Sequence, residues 1–302
     1  MDPETLDGGG NPATAHSSGP ERVHLRFWGT RGSVPSPGAA TAAYGGNTAC
    51  LEVLASGRRY VMDAGTGARA LGLEIMRTET PPRATVFLTH FHWDHIQGFP
   101  FFRPLFHPDA ELRIVGPRQG ETDIRGLLED QMGSPYFPVP LSEKKARTTF
   151  EHLNEGSWSD GAVQVAAMRV CHGAFTVGYR LESEGIRLCY VPDNELGGHD
   201  HGLDPSWRDR FAEFIAGSDI LVHDAMYTAE EFVDRKGWGH SSFDQCMDLA
   251  LEAGVKRLLF FHHDPERTDD DLDRQVDRAR ERAGRNGNLE VDAAREGAVL
   301  VL

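Results

Sequence analysis

The chain has 302 residues, 39% of them hydrophobic, which is enough for one large α/β domain with a full core or for two small ones. Its 46 acidic residues against 31 basic ones give a formal charge of -15, a field that argues against long nucleic acid as a partner, because a polyanion is normally met by a basic face. No apolar run approaches the roughly 20 residues that a membrane-spanning helix needs, so no membrane partner is expected.

Residues 1–20 are mostly Gly, Pro, Ser, Ala and acid and read as a disordered tail ahead of a single domain over residues 21–302. They lack the basic start and apolar stretch of a signal peptide. With four irregularly spaced cysteines besides, a reducing cytoplasm is the expected location. Alternation predicts a first strand over Val23–Trp28, followed by the turn Gly29–Ser33 and a loop at Tyr44–Thr48. Strands near Cys50–Leu54 and Arg59–Met62 lead to the glycine turn Asp63–Gly67 and a helix over Ala68–Met76. The apolar run Ala84–Leu88 reads as a buried strand, and it opens directly into Thr89-His90-Phe91-His92-Trp93-Asp94-His95.

A strand at Leu112–Val115 comes next, then a different kind of segment over residues 119–155. It holds a helix at Ile124–Met132 and a proline-rich run, Gly133–Pro140, that a central strand would not accept. We read it as a lid over the site, or else a plain surface connection. Three further strands each end at a ligand-type residue: Gln164–Val170 before His172, Ile186–Val191 before Asp193, and Arg257–Phe261 before His262. Ser241–Ala253 has helical spacing, with Ser241 as N-cap and Gly254 as stop. A charged helix over Glu266–Arg282 and a strand at Ala298–Leu302 close the chain.

The stretch from His90 to His95 carries the most chemistry. Three imidazoles and a carboxylate within six residues cannot all face one ion, since His90 and His92 point one way and the following turn swings Asp94 and His95 to another. Imidazole and carboxylate are the donors zinc and its neighbours prefer. The bland alternative is a histidine-rich surface turn; the sharp one is a two-metal hydrolytic site. Cys171, beside His172, is a weaker rival ligand, while Cys50, Cys189 and Cys246 look like core residues. His24, His107, His152, His199 and His201 follow no ligand pattern.

This pattern resembles the metallo-β-lactamase superfamily, whose members carry His-x-His-x-Asp-His, then a lone His, an Asp and a final His, in that order. The resemblance implies a four-layer αββα sandwich, where periodicity alone gives only α/β. It further implies one divalent ion on His90, His92 and His172, a second on Asp94, His95 and His262, and Asp193 bridging. Zinc is the first choice, although the same donors serve manganese or iron. His263 is the rival to His262, and adjacent strand residues point oppositely, so only one should bind. Asp63 resembles the family's early Asp-x-Gly turn, which supports ligands from behind.

Two more elements resemble the ribonuclease Z branch: Val222-His223-Asp224-Ala225 and Gly239-His240-Ser241-Ser242. There an acidic residue and a histidine donate a proton to the leaving alkoxide, which assigns Asp224 and His240, with Asp94 able to orient or deprotonate the water. A carboxylate-steadied imidazole is a suitable acid near neutral pH. About twenty residues separate His172 from Asp193, which leaves no space for the branch's tRNA-grasping arm. The expected function is therefore hydrolysis of a small phosphodiester, a cyclic nucleotide first. The alternatives are hydrolysis of lactones, thioesters or β-lactams and, beyond that, processing of tRNA 3′ ends. A sensor without turnover is the third class.

Tyr136 and Phe137 are candidates to stack on a base, and Arg31 and Asn47 to reach the pocket. Phe99, Phe101, Phe102 and Phe106 read as core or as the interface of a homodimer, which is expected by analogy.

Overall fold

The structure is a computed structural model that describes residues 22–198 and 200–302; the expected tail and His199 lie outside the described residues. The first half of the chain folds into β1 (His24–Gly29), β2 (Cys50–Ala55), β3 (Arg58–Met62), β4 (Arg83–Phe87), β5 (Glu111–Gly116) and β6 (Arg147–His152). The second half contributes β7 (Gly156–Asp160), β8 (Val163–Arg169), β9 (Val177–Ser183), β10 (Ile186–Val191), β11 (Ile220–Asp224), β12 (Arg257–Phe261) and β13 (Glu290–Ala293). The last strand, β14 (Val299–Val301), returns to pair antiparallel with β1. The sheets run β14-β1-β2-β3-β4-β5-β6 and β13-β12-β11-β10-β9-β8-β7.

Both sheets have one layout despite the lack of a sequence repeat. Each is antiparallel through its early strands and parallel through its last three pairings, β3 to β6 in one and β10 to β13 in the other. Parallel pairing needs crossovers, and these are helices that cover the outer faces. Helix α1 (Gly67–Thr78) and α3 (Ile124–Gln131) cover the first sheet; α2 (Trp93–Ile96) is a single turn within the metal loop. Helices α4 (Trp207–Ile215), α6 (Phe243–Glu252) and α7 (Asp269–Asn286) cover the second, and α5 (Ala229–Asp234) lies between β11 and α6.

Period-two alternation sorts the core into layers. Phe87, Leu259 and Phe261 point between the sheets, while their neighbours Val86, Leu258 and Phe260 point out beneath the helices. The result is the expected four-layer αββα sandwich. No helix of the described residues is long and apolar enough to cross a membrane.

Four local expectations change. Within the proposed lid, Arg147–His152 is strand β6, bonded along its length to β5, so residues 147–152 are part of the sheet. Tyr136 is exposed, whereas Phe137 sits against Phe101, with ring centroids 5.5 Å apart. The cap of α6 is Ser242, which forms a capping box with Gln245; the Ser241 hydroxyl instead donates to the Asn194 carbonyl. Arg31 and Asn47 brace loops: the buried Arg31 guanidinium donates to the carbonyls of Gly45, Asp264 and Arg267, and the Asn47 amide donates to Glu296. Phe99 and Phe102 are fully buried in the layer under α1, and Phe106 packs partly buried against it.

Candidate metal centre

Strands β8, β10, β11 and β12 run in one direction, so the residues that follow them emerge at one edge of the sandwich. The loop after β4 meets them there. His90, His92 and His172 form one group in which each offers a ring nitrogen, and Asp94, His95 and His262 form another; all donor atoms within a group lie within 4.8 Å. Asp193 joins His90 and His95 in a third group and His172 and His240 in a fourth, so it stands between the first two.

Several of these side chains are oriented by a bond made away from the cluster. His172 Nδ1 donates to the Gly239 carbonyl at 2.8 Å, which leaves Nε2 facing the cluster, 3.1 Å from His92 Nδ1. His95 Nδ1 is held at 2.9 Å by Asp63, and its Nε2 lies 2.9 Å from Asp193 and 3.3 Å from Asp94. Asp63 also accepts from the Thr89 backbone at 2.8 Å and from the Tyr190 hydroxyl at 3.0 Å, so the early Asp-x-Gly turn supports the centre as expected. Asp94 accepts from Ser33 N at 2.7 Å and lies 3.0 Å from His262 Nε2. His263 turns away and donates from Nε2 to the Ala294 carbonyl at 2.9 Å.

The donor chemistry fits cations. His90 Nε2 is buried, faces the cluster and has no hydrogen-bond partner, so its lone pair is available to a cation. Burial alone would raise the Asp193 carboxyl, but His262, His95 and His90 around it hold it well below the usual carboxylate range. Asp94 is held low in the same way by His95 and His262. Burial lowers His90 well below the ordinary histidine value and His172 to about 4, which keeps both rings neutral and able to coordinate. The arrangement is a dinuclear metal-binding site for divalent ions of the zinc class.

Next to it stands the Asp224–His240 pair. His240 Nδ1 is 2.7 Å from Asp224, and its ring stacks on His262 with centroids 4.9 Å apart. Burial opposes charge on this imidazole, but Asp224, then Asp193 and Asp94, raise it to about 9. Asp224 also accepts from Asn194 N and Met226 N, so its position is fixed by backbone. The segment between His172 and Asp193 consists of β9, β10 and their connecting turns.

Cys50, Cys189 and Cys246 are buried, as expected of core residues; Cys171, the rival ligand, is buried too and joins none of the metal-type groups among the described residues. His24 and His152 are exposed and His107 is half-buried; His201 pairs with Glu195. Sequence reasoning missed Tyr190, Ser33 and Glu195. No local pattern marks them, since their importance comes from carboxylates and amides brought in from other strands.

A family model described as the beta-lactamase superfamily domain matches residues 58–263. Ribonuclease Z of Pyrococcus horikoshii is 22% identical over 284 residues, covering 80% of this chain and 87% of that protein. Among solved structures, the metallo-beta-lactamase fold protein YhfI from Bacillus subtilis superposes with a TM-score of 0.67 at 18% identity, covering 93% of this chain and 100% of that one. The short form of human tRNase Z gives 0.60 at 21% identity, covering 92% and 98%. The family match spans more than half of the chain and includes the first metal loop through His262, so this protein belongs to the beta-lactamase superfamily and is a metal-dependent hydrolase.

Proposed function

We propose that the enzyme cleaves phosphodiesters and that His240, steadied by Asp224, donates the proton to the leaving oxygen. The observation that carries this is the 2.7 Å pair set against the metal cluster, with His240 Nδ1 committed to Asp224 so that Nε2 is left for a substrate. Phosphodiester cleavage expels an alkoxide, a poor leaving group, and a placed acid is what that step requires. His90, His92 and His172 would hold one ion, and Asp94, His95 and His262 the other, with Asp193 between them. Bound there, two ions supply an acidified water and positive charge opposite the phosphoryl oxygens. Asp94, buried beside Ser33, would orient an attacking water and take its proton; as the water oxygen bonds to phosphorus, the bond to the leaving oxygen breaks and His240 gives that oxygen its proton.

For the substrate, the likeness to a ribonuclease Z and to human tRNase Z supports a tRNA over the cyclic-nucleotide expectation. The short strand pair between His172 and Asp193 and the charge of -15 favour a small phosphodiester as the second reading. The test is His240→Ala. Turnover of a phosphodiester should fall by about 10²–10⁴-fold while two ions stay bound. Hydrolysis of a lactone or thioester that survives the substitution intact would instead favour carboxylic ester chemistry.

A further inference from the structure

Glu195 follows Asp193 by two residues and is 1% exposed. Its two carboxylate oxygens accept from Gly237 N at 2.7 Å and Gly239 N at 2.8 Å, and Oε2 also meets His201 Nε2 at 3.1 Å. These amides belong to the loop between α5 and α6, where both glycines have positive φ, 88° and 87°. Hydrogen bonds from backbone N–H to a buried carboxylate are charge-assisted and stronger than neutral ones. Gly239 is therefore gripped through its N–H by Glu195, while its carbonyl accepts from His172 Nδ1. The next residue is His240.

We infer that Glu195 is a positioning residue for both halves of the centre. By fixing Gly239 it fixes the acceptor that turns His172 Nε2 toward the metal cluster. By fixing the same loop it sets His240 against Asp224. The second role rests on the phosphodiesterase reading; the first does not. A carboxylate is needed because the two glycine amides that face it are both N–H donors. A glutamine would present one N–H to one of them and release it.

The test is Glu195→Gln in the metal-loaded protein, read in three ways. Hydrogen exchange at Gly237 and Gly239 should lose protection. One of the two ions should bind about 10–100-fold more weakly, as for other groups behind a ligand, while the other keeps its affinity. Turnover of a phosphodiester with an alkoxide leaving group should fall further than that of one releasing nitrophenolate, which needs no proton. Equal weakening of both ions, or equal slowing of both substrates, would mean a merely structural role and overturn the inference. Unchanged exchange and affinity would overturn it too. If the wild type cleaves no phosphodiester, the substrate reading fails, and the exchange and affinity measurements still decide the role of Glu195. Should Glu195→Gln not fold, Glu195→Asp, which keeps the charge but falls one methylene short, is judged by the same signals.

Discussion

His262 and His263 are neighbours with opposite duties. A φ of 58° at His262 ends β12 and turns its ring into the cluster, while His263 points back and donates to Ala294. Replacing each by alanine should separate the duties. His262→Ala should cost bound metal. His263→Ala should leave two ions in place but lower stability by about 1–3 kcal/mol, the cost of an unpaired buried carbonyl, in denaturant unfolding. Tyr190→Phe offers a finer probe, because it removes only the hydroxyl that donates to Asp63; a loss of about 1.5–3 kcal/mol is expected for a hydrogen bond to a charged group. At this scale the sequence was legible where ligand-type residues follow one another along the chain, from His90 to His95, and these gather into the groups that could hold metal. It was opaque at Tyr190 and Glu195, whose partners are distant in sequence and ordinary in composition.

Among the elements, the entrance to α6 ties fold to chemistry. Ser242 caps the helix through a box with Gln245, and Ser242→Ala should destabilise the protein by about 0.5–2 kcal/mol. The pattern Ser-x-x-Gln was present in the sequence at Ser242, one residue beyond the expected cap. Just before it, Gly239 has a φ of 87°, and a Cβ there would lie 2.3 Å from His172 Nδ1. Gly239→Ala should therefore disturb His172 as well as the loop, with reduced metal content as the readout. Strands that end at ligand-type residues were readable because apolar runs stop abruptly at polar donors. Strand β6 was not, because Arg147–His152 is half-exposed and takes its order from pairing with β5 rather than from its own pattern.

Across the whole molecule, the two sheets bring loops from both halves of the chain to one edge, where Asp63, Asp94 and Asp193 are buried among His90, His95, His172 and His262. Such a cluster is stable only with its charges compensated, so metal binding and folding are linked. Stripping the ions with a chelator should lower the thermal midpoint, by the equivalent of about 2.7 kcal/mol for each site held at a hundredfold excess over its dissociation constant. The four-layer architecture was implied by the family resemblance rather than by periodicity, which cannot say how two sheets stack. The most direct test of the account is hydrolysis of a panel by protein shown to hold two ions, with a chelator-treated control: a precursor tRNA with a 3′ trailer, cyclic mononucleotides, and a lactone. The account predicts chelator-sensitive cleavage of at least one phosphodiester. Hydrolysis of the lactone alone, with every phosphodiester left intact, would contradict it.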